Sequence, residues 1–374
     1  MARRGENIYK RRDGRWEGRY IKGHRLGGKT DYGYVYARKY KECREKLDRA
    51  KAQYGSRQKA VKRCGKGLVS EFMVYWLFSI IQPYVKVSTF SNYAAIVEKW
   101  IQPFLGNKKL DSLGKEDVQN FIGILSKRGL SAGTVRNIYH VLSAAMKKAR
   151  EYSYIYANPC EGICLPKDRK KEARILSKQE QKQLEGAIKG DKSELPILLA
   201  VYMGLRIGEI CALAWDDVDI ENSMLYVSRT AQRIQSVAPD AATRTVLVTG
   251  SAKSGCSARA IPLPAGIRKL FQKHYKTASG KYVFSYRGHQ LEPRLLQYRF
   301  KILLKKAGLG EINFHALRHT FATRCIELSI DVKTLSELMG HASAKMTLDR
   351  YGHSGVEQKR WAMSTIDRLF ACSA

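Results

Sequence analysis

The stretch Asn313–His353, NFHALRHTFATRCIELSIDVKTLSELMGHASAKMTLDRYGH, concentrates histidine, arginine and tyrosine residues on and beside predicted helices. His315, Arg318 and His319 stand at positions i, i+3 and i+4, so in a helix their side chains share one face. A second face of this helix is expected to be buried, and its apolar residues are Phe314, Leu317, Phe321, Ile326 and Leu328. The pattern predicts a helix that is anchored in a core and presents charged groups beside it.

A second helix is predicted directly after the first. Asp331 suits the N-cap position and Gly340 suits the C-terminal end of this helix. The apolar stripe between them consists of Val332, Leu335, Leu338 and Met339. His341 follows the glycine, and Tyr351 lies further along, after a segment that we predict to be a polar loop. The stretch therefore predicts a site that combines His, Arg, His and Tyr side chains.

The whole chain is strongly basic. Its 374 residues are enough for two or three domains, and 67 lysines and arginines against 34 aspartates and glutamates give a formal net charge of +33. Nucleic acid is the first candidate for the anionic partner that such a charge requires, and an anionic membrane is the second. The most apolar run, Phe72 to Ile81, is too short to span a bilayer, and the N-terminus lacks a signal-peptide core. We expect a cytoplasmic protein with no membrane partner.

The eight cysteines are scattered, and only Cys160 and Cys164 lie close together. No second pair stands at zinc spacing, so reduced and mostly buried thiols are expected. His315 and His319, at i and i+4, are the alternative zinc ligands. Residue 316 is alanine rather than the glutamate of the H-E-x-x-H motif, and Arg318 would repel a cation. The sequence therefore predicts no metal site.

The N-terminal region predicts a small three-stranded sheet backed by one helix. Asn7–Arg12 and Trp16–Lys22 are strands joined by the hairpin signal Asp13-Gly14, and tyrosines alternate with smaller residues in a third strand at 32–37. A helix is predicted over 38–54. Basic and aromatic residues are interleaved here, as in a sheet that enters a DNA groove, and the expected DNA contacts are Arg11, Arg12, Trp16, Arg19 and Tyr34. A solvated basic surface is the alternative.

Residues 23–30, GHRLGGKT, match the P-loop pattern G-x-x-x-x-G-K-[ST]. A P-loop needs a strand before the glycine-rich segment and a helix after it, so that the helix N-terminus faces the phosphates. The next predicted element here is a strand. The match is therefore interpreted as coincidental, and nucleotide binding is not expected.

Residues from Leu68 to about Tyr156 show helical periodicity and predict a bundle of four helices. Ser88 is expected to cap the second helix, which should stop at Pro103, and Ser131 is expected to open the fourth. The fourth helix carries a basic face, and the residues expected to contact a duplex backbone are Arg136, Asn137, His140 and Lys147. A helical domain with solvated lysines is the alternative.

Two polar, basic segments divide the chain. Gln53–Gly67 separates the sheet from the helices, and Asn158–Ala173, which holds two prolines, separates the helices from a large C-terminal domain. That domain opens with the capping box Ser177–Glu180. We predict a multidomain α+β protein with domains at residues 1–60, 66–160 and 174–374.

The C-terminal domain contains further candidate site residues. Arg206 is predicted at a helix N-terminus, where backbone N–H groups favour an anion, and Glu209 lies one turn on and could orient it. Lys253 lies on a turn before the predicted strand Ala258–Leu263. A polar insertion around Gln232–Val246 is longer than a minimal hairpin and receives no role. Each signal alone also fits an ordinary surface residue.

Four segments, GLRIGE, AKSGCSARAIPL, HALRHTFAT and LMGHASAKMTLDRYGH, occur in this order and together resemble the tyrosine recombinases of the phage integrase family. The resemblance covers the C-terminal domain, and it implies a mainly α catalytic domain with a small antiparallel sheet. The upstream domains are similar to the arm-binding and SAM-like core-binding domains of integrases from conjugative transposons and temperate phages.

This resemblance also implies partners. They are double-stranded DNA at core-type and arm-type sites, further copies of the chain in a homotetramer, and accessory proteins such as an excision factor or a host DNA-bending protein. The tail Val356–Phe370 has an apolar stripe that could pack within its own domain or, as the resemblance suggests, on a neighbouring protomer. No cofactor is implied, because a covalent intermediate stores the energy of the broken bond.

The resemblance assigns the chemistry residue by residue. Tyr351 would attack the scissile phosphate and form a 3′-phosphotyrosyl link, while Arg206 and Arg318 bind the non-bridging oxygens. Lys253 would protonate the leaving 5′ oxygen. Acid–base exchange with the tyrosine, a hydrogen bond to the phosphate and orientation of the site are assigned to His315, His341 and Glu209. For His319 a packing role is expected.

Two alternatives use the same fold. One is a catalytically silent DNA-binding or architectural protein, and the other is a type IB topoisomerase-like relaxase. A silent protein would not need the complete set of site residues, and a relaxase would not need the predicted arm-binding domain. The sequence therefore favours a site-specific recombinase.

Overall fold

The computed structural model describes residues 7–11, 13–24, 30–51, 67–167, 174–236, 245–251, 258–278, 280–341, 343–351, 360, 363–364 and 366–367. Of residues 21–24, 30–31, 251 and 349–351 only the backbone is described. The chain divides into two compact units, residues 1–169 and 170–374. The first unit includes both predicted upstream domains, whose separate boundaries remain predictions. Within the described ranges, no helix is long and apolar enough to cross a membrane.

The N-terminal sheet has three antiparallel strands in the order β1 (Ile8–Lys10), β2 (Trp16–His24) and β3 (Thr30–Ala37). The predicted hairpin at Asp13-Gly14 is confirmed, and Gly14 has a φ of +82°, which suits glycine. Helix α1 (residues 40–51) covers one face, where the buried residues are Ile8, Ala37, Cys43 and Leu47. The P-loop-like segment is followed by β3, as predicted, and its residues 25–29 lie outside the described part.

The rest of the first unit is helical. Its helices are α2 (Val69–Tyr75), α3 (Val87–Ile96), α4 (Gln102–Leu105), α5 (Lys115–Lys127) and α6 (Ala132–Glu151). Helices α2 and α3 continue as π-helical turns, Trp76–Ile81 and Val97–Ile101, each followed by a Gln-Pro pair. Proline has no N–H and clashes with the carbonyl four residues before it, so a widened turn fits the backbone at both places.

Two details predicted for this bundle are wrong. Helix α3 begins at Val87 with Lys86 as its N-cap, so Ser88 lies inside the first turn. The chain also remains helical at Pro103, which takes the second position of α4, where a missing N–H costs nothing. The predicted cap of α6 is confirmed, because Ser131 Oγ accepts a hydrogen bond from the Thr134 N–H at 3.2 Å.

The second unit is mainly helical. Its helices are α7 (Lys178–Ile188), α8 (Glu194–Met203), α9 (Ile207–Ala212), α10 (Ala265–Tyr275), α11 (Pro293–Lys306), α12 (His315–Glu327), α13 (Val332–Met339) and α14 (Ala344–Tyr351). The capping box that opens α7 is confirmed: the Ser177 N–H donates to Glu180 Oε2 at 2.8 Å, and the Glu180 N–H donates to Ser177 Oγ at 3.1 Å.

Small antiparallel sheets accompany these helices. The strands are β4 (Val218–Asp219), β5 (Met224–Val227), β6 (Arg229–Gln235), β7 (Thr245–Ser251), β8 (Arg259–Pro262), β9 (Ser285–Tyr286) and β10 (His289–Gln290). They pair as β4-β5-β8, β6-β7 and β9-β10. The predicted insertion around Gln232–Val246 is thus partly a regular hairpin, with residues 237–244 outside the described part.

Helices α8 and α12 contribute to the core of this unit. Gly204 ends α8 with a φ of +65°, and a Cβ there would lie 2.5 Å from the Phe321 ring, so glycine is required for its conformation and for the close approach. The prediction that Leu328 is buried is wrong. This residue follows the end of α12, where the helical periodicity that predicted its burial no longer applies, and it is 74% exposed.

The beginning of the second unit is fixed to α12. The Leu176 N–H donates to Thr320 Oγ1 at 2.9 Å, and the Leu176 carbonyl accepts from Arg324 Nη2 at 2.8 Å. Thr320 Oγ1 also donates to the Ala316 carbonyl at 2.9 Å. The chain is therefore attached to the same helix that carries His315.

Candidate active site

Helix ends position the arginines and histidines that the sequence singled out. Arg206 is the N-cap residue of α9, and Arg318 lies in the first turn of α12. Asp331 caps α13 as predicted, since its Oδ1 accepts hydrogen bonds from two backbone N–H groups at 2.9 Å. Gly340 ends α13 with a φ of +61°, and His341 follows it directly. Local capping interactions therefore fix the backbone positions from which these side chains extend.

Arg318 is almost completely buried, with 2% of the residue exposed. Its Nη1 donates to the Gly204 carbonyl at 2.5 Å, and its Nη2 donates to the Met339 carbonyl at 2.6 Å. Both carbonyls lie at helix C-termini, where unpaired carbonyls and the helix dipole stabilise a cation. The guanidinium group thus joins α8, α12 and α13 and is held in one orientation.

Arg206 lies beside this group and is more accessible, with 36% of its side chain exposed. Its Nη2 donates to the Gly340 carbonyl at 3.2 Å, and its Nη1 donates to Glu209 Oε1 at 2.6 Å. The Arg206 N–H donates to Glu209 Oε2 at 2.9 Å. The structure therefore places Glu209 where the sequence predicted an orienting residue.

Glu209 is 4% exposed and has a second arginine partner. Arg259, the first residue of β8, donates through Nη2 to Glu209 Oε2 at 3.0 Å and through Nη1 to Oε1 at 3.2 Å. Burial would raise the pKa of Glu209, but the hydrogen bonds and charge of Arg259, followed by the charge and N–H of Arg206, hold it below its ordinary value. The carboxylate is therefore ionised at neutral pH.

The two predicted site histidines have different surroundings. Nδ1 of His341 lies 2.8 Å from Oγ1 of Thr347, a fully buried residue of α14. His315 is exposed at the start of α12, and its backbone N–H donates to Asn313 Oδ1 at 3.1 Å. The His319 side chain is buried, and its ring meets that of His315 edge-on with centroids 4.7 Å apart. This burial agrees with the packing role expected for His319.

Two predicted site residues have side chains outside the described part. Lys253 lies within residues 252–257, and Tyr351 is described by its backbone only. The prediction that Tyr351 follows a polar loop is wrong, because residues 344–351 form α14. Its backbone therefore lies about one helical turn beyond Thr347, the partner of His341. Among the described side chains, no group of three or more His, Cys, Asp and Glu residues could hold a metal ion.

The open face of the N-terminal sheet presents arginines stacked on tyrosines. The Arg19 guanidinium lies 4.2 Å from the centroid of the Tyr32 ring, and that of Arg11 lies 5.5 Å from the Tyr36 ring. Tyr34 is paired with Arg19 across the strands and is 48% exposed. These contacts create a basic, aromatic surface.

The remaining DNA-contact candidates are divided. Trp16 packs edge-on against Tyr40 of α1, with the ring centroids 5.0 Å apart, and its DNA contact remains a prediction. Arg12 lies outside the described residues. On α6 the exposed candidates are Asn137, His140 and Lys147.

Arg136 is bound within the first unit. Its Nε and Nη2 donate to the Pro166 carbonyl at 3.3 and 3.0 Å. Gln119 and the backbone of Cys164 exchange two further hydrogen bonds, at 3.2 and 3.0 Å. The described part of the predicted linker, residues 158–167, is therefore fixed to the bundle, and the DNA contact of Arg136 remains a prediction.

Sequence reasoning missed Arg259 and Thr347. Arg259 stands in the quoted segment AKSGCSARAIPL, so its position was visible, but nothing in the sequence showed that it meets Glu209. Thr347 is an ordinary helical residue by sequence. Only the packing of α14 brings it to His341.

Comparisons with known proteins show the family of this chain. Residues 173–358 match the phage integrase family, and residues 68–126 match the N-terminal SAM-like domain of phage integrases. A "Tyrosine recombinase XerC-like" protein of Caldanaerobacter subterraneus is 28% identical over 325 residues, covering 81% of this chain and 83% of the relative. The ICEBs1 integrase of Bacillus subtilis is 25% identical over 300 residues, covering 76% and 78%.

Solved structures show the same fold. The Tn1549 transposon integrase in complex with a circular intermediate DNA has a TM-score of 0.69 and 23% identity, covering 80% of this chain and 99% of that chain. A lambda integrase tetramer bound to a Holliday junction has a TM-score of 0.60 and 19% identity, covering 92% and 97%. The predicted fold class, with a SAM-like bundle and a mainly α catalytic domain, is confirmed. The chain belongs to the phage integrase family and is a tyrosine-type site-specific recombinase.

Proposed function

We propose that this recombinase is the integrase of a mobile genetic element, and that it cuts and rejoins DNA strands at specific sites. The names of the ICEBs1 and Tn1549 relatives support a mobile element. The observation that carries the mechanism is the pair Arg206 and Arg318, whose guanidinium groups are bound to the consecutive carbonyls of Gly340 and Met339.

The arginine pair binds the two non-bridging oxygens of the scissile phosphate. Guanidinium is planar and always protonated, so it can form two hydrogen bonds to a phosphate. Backbone carbonyls hold Arg206 and Arg318 before DNA arrives. Negative charge that develops in the pentacoordinate transition state therefore meets donors that need little reorganisation.

Tyr351 is the nucleophile in this mechanism. Its phenolic oxygen bonds to phosphorus, the bond from phosphorus to the 5′ oxygen breaks, and the enzyme becomes linked to the 3′ phosphate. A phenol with a pKa of about 10 needs nearby cations and an acceptor for its proton. The arginine pair supplies the first, and His315 is assigned the second.

The other two groups act on the leaving oxygen and the phosphate. Lys253 gives a proton to the leaving 5′ oxygen. His341 donates to the phosphate through Nε2, since its Nδ1 is within hydrogen-bond distance of Thr347. A 5′ hydroxyl of the second duplex then attacks the phosphotyrosine, which rejoins the strand and leads through a Holliday junction without ATP.

The DNA partner is held at two kinds of site. Arm-type sites are assigned to the open face of the N-terminal sheet, and core-type sites to the exposed face of α6. A homotetramer carries out the exchange, as supported by the tetramer of lambda integrase on a Holliday junction. An excision factor and a host DNA-bending protein remain expected partners. The reaction takes place in the cytoplasm, where we expect the DNA substrate to be.

A nicked duplex tests the proposal. The core site is first selected from a pool of random duplexes by binding to the full chain, and the duplex is then nicked beside the cleavage position so that the covalent adduct accumulates. The wild type should form the adduct even in EDTA. The Tyr351→Phe variant should bind the same duplex and form no adduct.

A matched control is Tyr298→Phe, which changes a tyrosine of α11 that is 64% exposed, and which should form the adduct at the wild-type rate. An adduct in Tyr351→Phe would contradict the choice of nucleophile. Binding without an adduct in the wild type would indicate a silent DNA-binding protein. Relaxation of supercoiled DNA without strand exchange would indicate a relaxase.

A further inference from the structure

Arg259 is a buried arginine with no assigned role in the reaction. Its side chain is 6% exposed, and it makes a bidentate ion pair with Glu209 at distances of 3.0 and 3.2 Å. Its Nε donates to the Leu338 carbonyl at 2.7 Å. One guanidinium group therefore joins β8, α9 and α13.

The end of α13 receives three arginines in succession. The carbonyls of residues 338, 339 and 340 accept hydrogen bonds from Arg259, Arg318 and Arg206, respectively. Carbonyls at the end of a helix have no intrahelical partner and carry partial negative charge, so they attract cations. Removal of one of these three arginines therefore changes the surroundings of the other two.

Space at the end of α13 is matched to Arg259. A Cβ on Gly340 would lie 2.9 Å from Arg259 Nη1 and 3.1 Å from its Cδ. The left-handed glycine that ends the helix is therefore also the residue that admits this side chain. The contact is close-packed, and Arg259 cannot be replaced by a smaller group without leaving a gap beside the arginine pair.

The charges explain why a second arginine is needed. Glu209 is buried and lies between Arg206 and Arg259, so the three groups together keep one positive charge. Without Arg259, the carboxylate would have Arg206 as its sole cationic partner in this group. The Arg206–Glu209 pair would then be neutral, and it would attract an incoming phosphate less strongly because the carboxylate would depend on Arg206 alone for its stabilisation.

We propose that Arg259 is a positioning residue of the phosphate clamp, which is the pair Arg206 and Arg318. It satisfies Glu209 and the Leu338 carbonyl, which lets Arg206 direct its accessible side toward the scissile phosphate. It also fixes β8, the strand that next follows Lys253 in the chain, against α9 and α13. This inference rests on the proposed function, because it concerns the same arginine pair.

The test compares Arg259→Met with the double variant Arg259→Met/Glu209→Gln in the full chain. The nicked core-site duplex is used at saturating protein, and adduct rate, DNA affinity and melting temperature are measured. Arg259→Met should slow adduct formation by about 100-fold, which is the loss typical of one displaced transition-state donor. DNA affinity should change by less than about threefold, because the phosphate contacts elsewhere on the duplex remain.

Adding Glu209→Gln should recover about tenfold of the lost rate. The amide still accepts the Arg206 N–H but carries no charge to hold the Arg206 guanidinium. A residue that only supports the fold would not show this recovery, because the second substitution would add damage. Arg259→Lys keeps the charge without the bidentate geometry and should fall between the wild type and Arg259→Met.

Arg229→Met is the matched control. Arg229 is also a strand residue paired with a buried carboxylate, Asp217, at 2.6 Å. Its removal should lower the melting temperature and leave the adduct rate within about threefold of the wild type, because its ion pair is with Asp217 and not with Glu209.

Wild-type rates in Arg259→Met, or a double variant no faster than Arg259→Met, would overturn the proposal. If Arg259→Met does not fold, wild-type rates in Arg259→Lys would overturn it instead. These results differ from a failure of the proposed function, in which the wild type itself forms no adduct.

Discussion

Arginines are used in opposite ways in the two units of this chain. On the N-terminal sheet, Arg19 and Arg11 stack on the tyrosine rings of an open face. In the second unit, Arg318 is buried and bound to carbonyls at the ends of two helices, and Arg206 is bound to the carbonyl that follows. A guanidinium above a ring makes no directed hydrogen bond to that ring, whereas one held by carbonyls is fixed in direction.

This difference fits two tasks. Contacts to the DNA backbone tolerate small changes in position, since they supply affinity through charge. A transition state does not, because donors must already point to the place where charge develops. We infer that the sheet needs the charge of arginine, while the active site needs its geometry.

The largest expected effect comes from Arg318→Lys. Lysine keeps the charge but cannot replace two hydrogen bonds in fixed directions, so adduct formation should fall by about 1,000-fold with little change in DNA affinity. The corresponding Arg19→Lys variant should keep its affinity for DNA within about threefold. Single-turnover adduct assays and binding titrations measure both. Losses of equal size in Arg318→Lys and Arg19→Lys would contradict the distinction between an arginine used for its geometry and one used for its charge.

The second prediction concerns Gly340, the glycine that ends α13 and supplies the last of the three carbonyls bound by the arginines. Gly340→Ala places a Cβ at positive φ and within 2.9 Å of Arg259, so it should lower both stability and the adduct rate. Gly129 also has a positive φ, +79°, but nothing lies within 4 Å of a Cβ built there.

Gly129→Ala should therefore cost only the backbone strain of about 1–2 kcal/mol and leave the adduct rate unchanged. Gly340→Ala should cost more than that and slow the adduct by at least about tenfold, through displaced arginines. Urea unfolding and adduct kinetics separate the two contributions. An unchanged adduct rate in Gly340→Ala would show that the three carbonyls at the end of α13 do not hold Arg206 and Arg318 in place.

The third prediction is a pH dependence of stability. The pKa of Glu209 in the folded chain lies below its ordinary value, because its arginine partners outweigh burial. Its ionised form therefore stabilises the fold above the ordinary glutamate pKa of about 4.3, and this contribution is lost as the pH falls through the lower folded value. As the pH falls below about 4.3, the wild type should lose more stability than Glu209→Gln. Parallel pH profiles of the melting temperature would contradict this.

The smallest expected effect is at the open face of the sheet. Arg19→Ala should weaken binding to duplex DNA a few-fold and reduce the slope of log affinity against log salt by about one. The adduct rate at saturating protein on the core site should stay at the wild-type value. Binding isotherms at several salt concentrations give the slope. A loss confined to the adduct rate would contradict the assignment of Arg19 to DNA affinity.

Local features of the site could be predicted from the sequence, whereas contacts between distant segments could not. The capping box at Ser177, the N-cap Asp331 and the glycine end of α13 all appear as predicted, because each depends on neighbours within one helical turn. The partial burial of Trp16 and the exposure of Leu328 depend on what packs against each element. Sequence patterns do not contain that information.

The family, the charge and the order of the site residues could all be read from the sequence, since they follow from residue types at short spacings. How the site is held together depends on contacts between distant segments of the chain. Arg206 meets the Gly340 carbonyl across 134 residues, and Arg259 meets Glu209 across 50. Every residue has a carbonyl, so sequence cannot show which ones accept from the arginines; only the packing of α13 against its neighbours makes that choice.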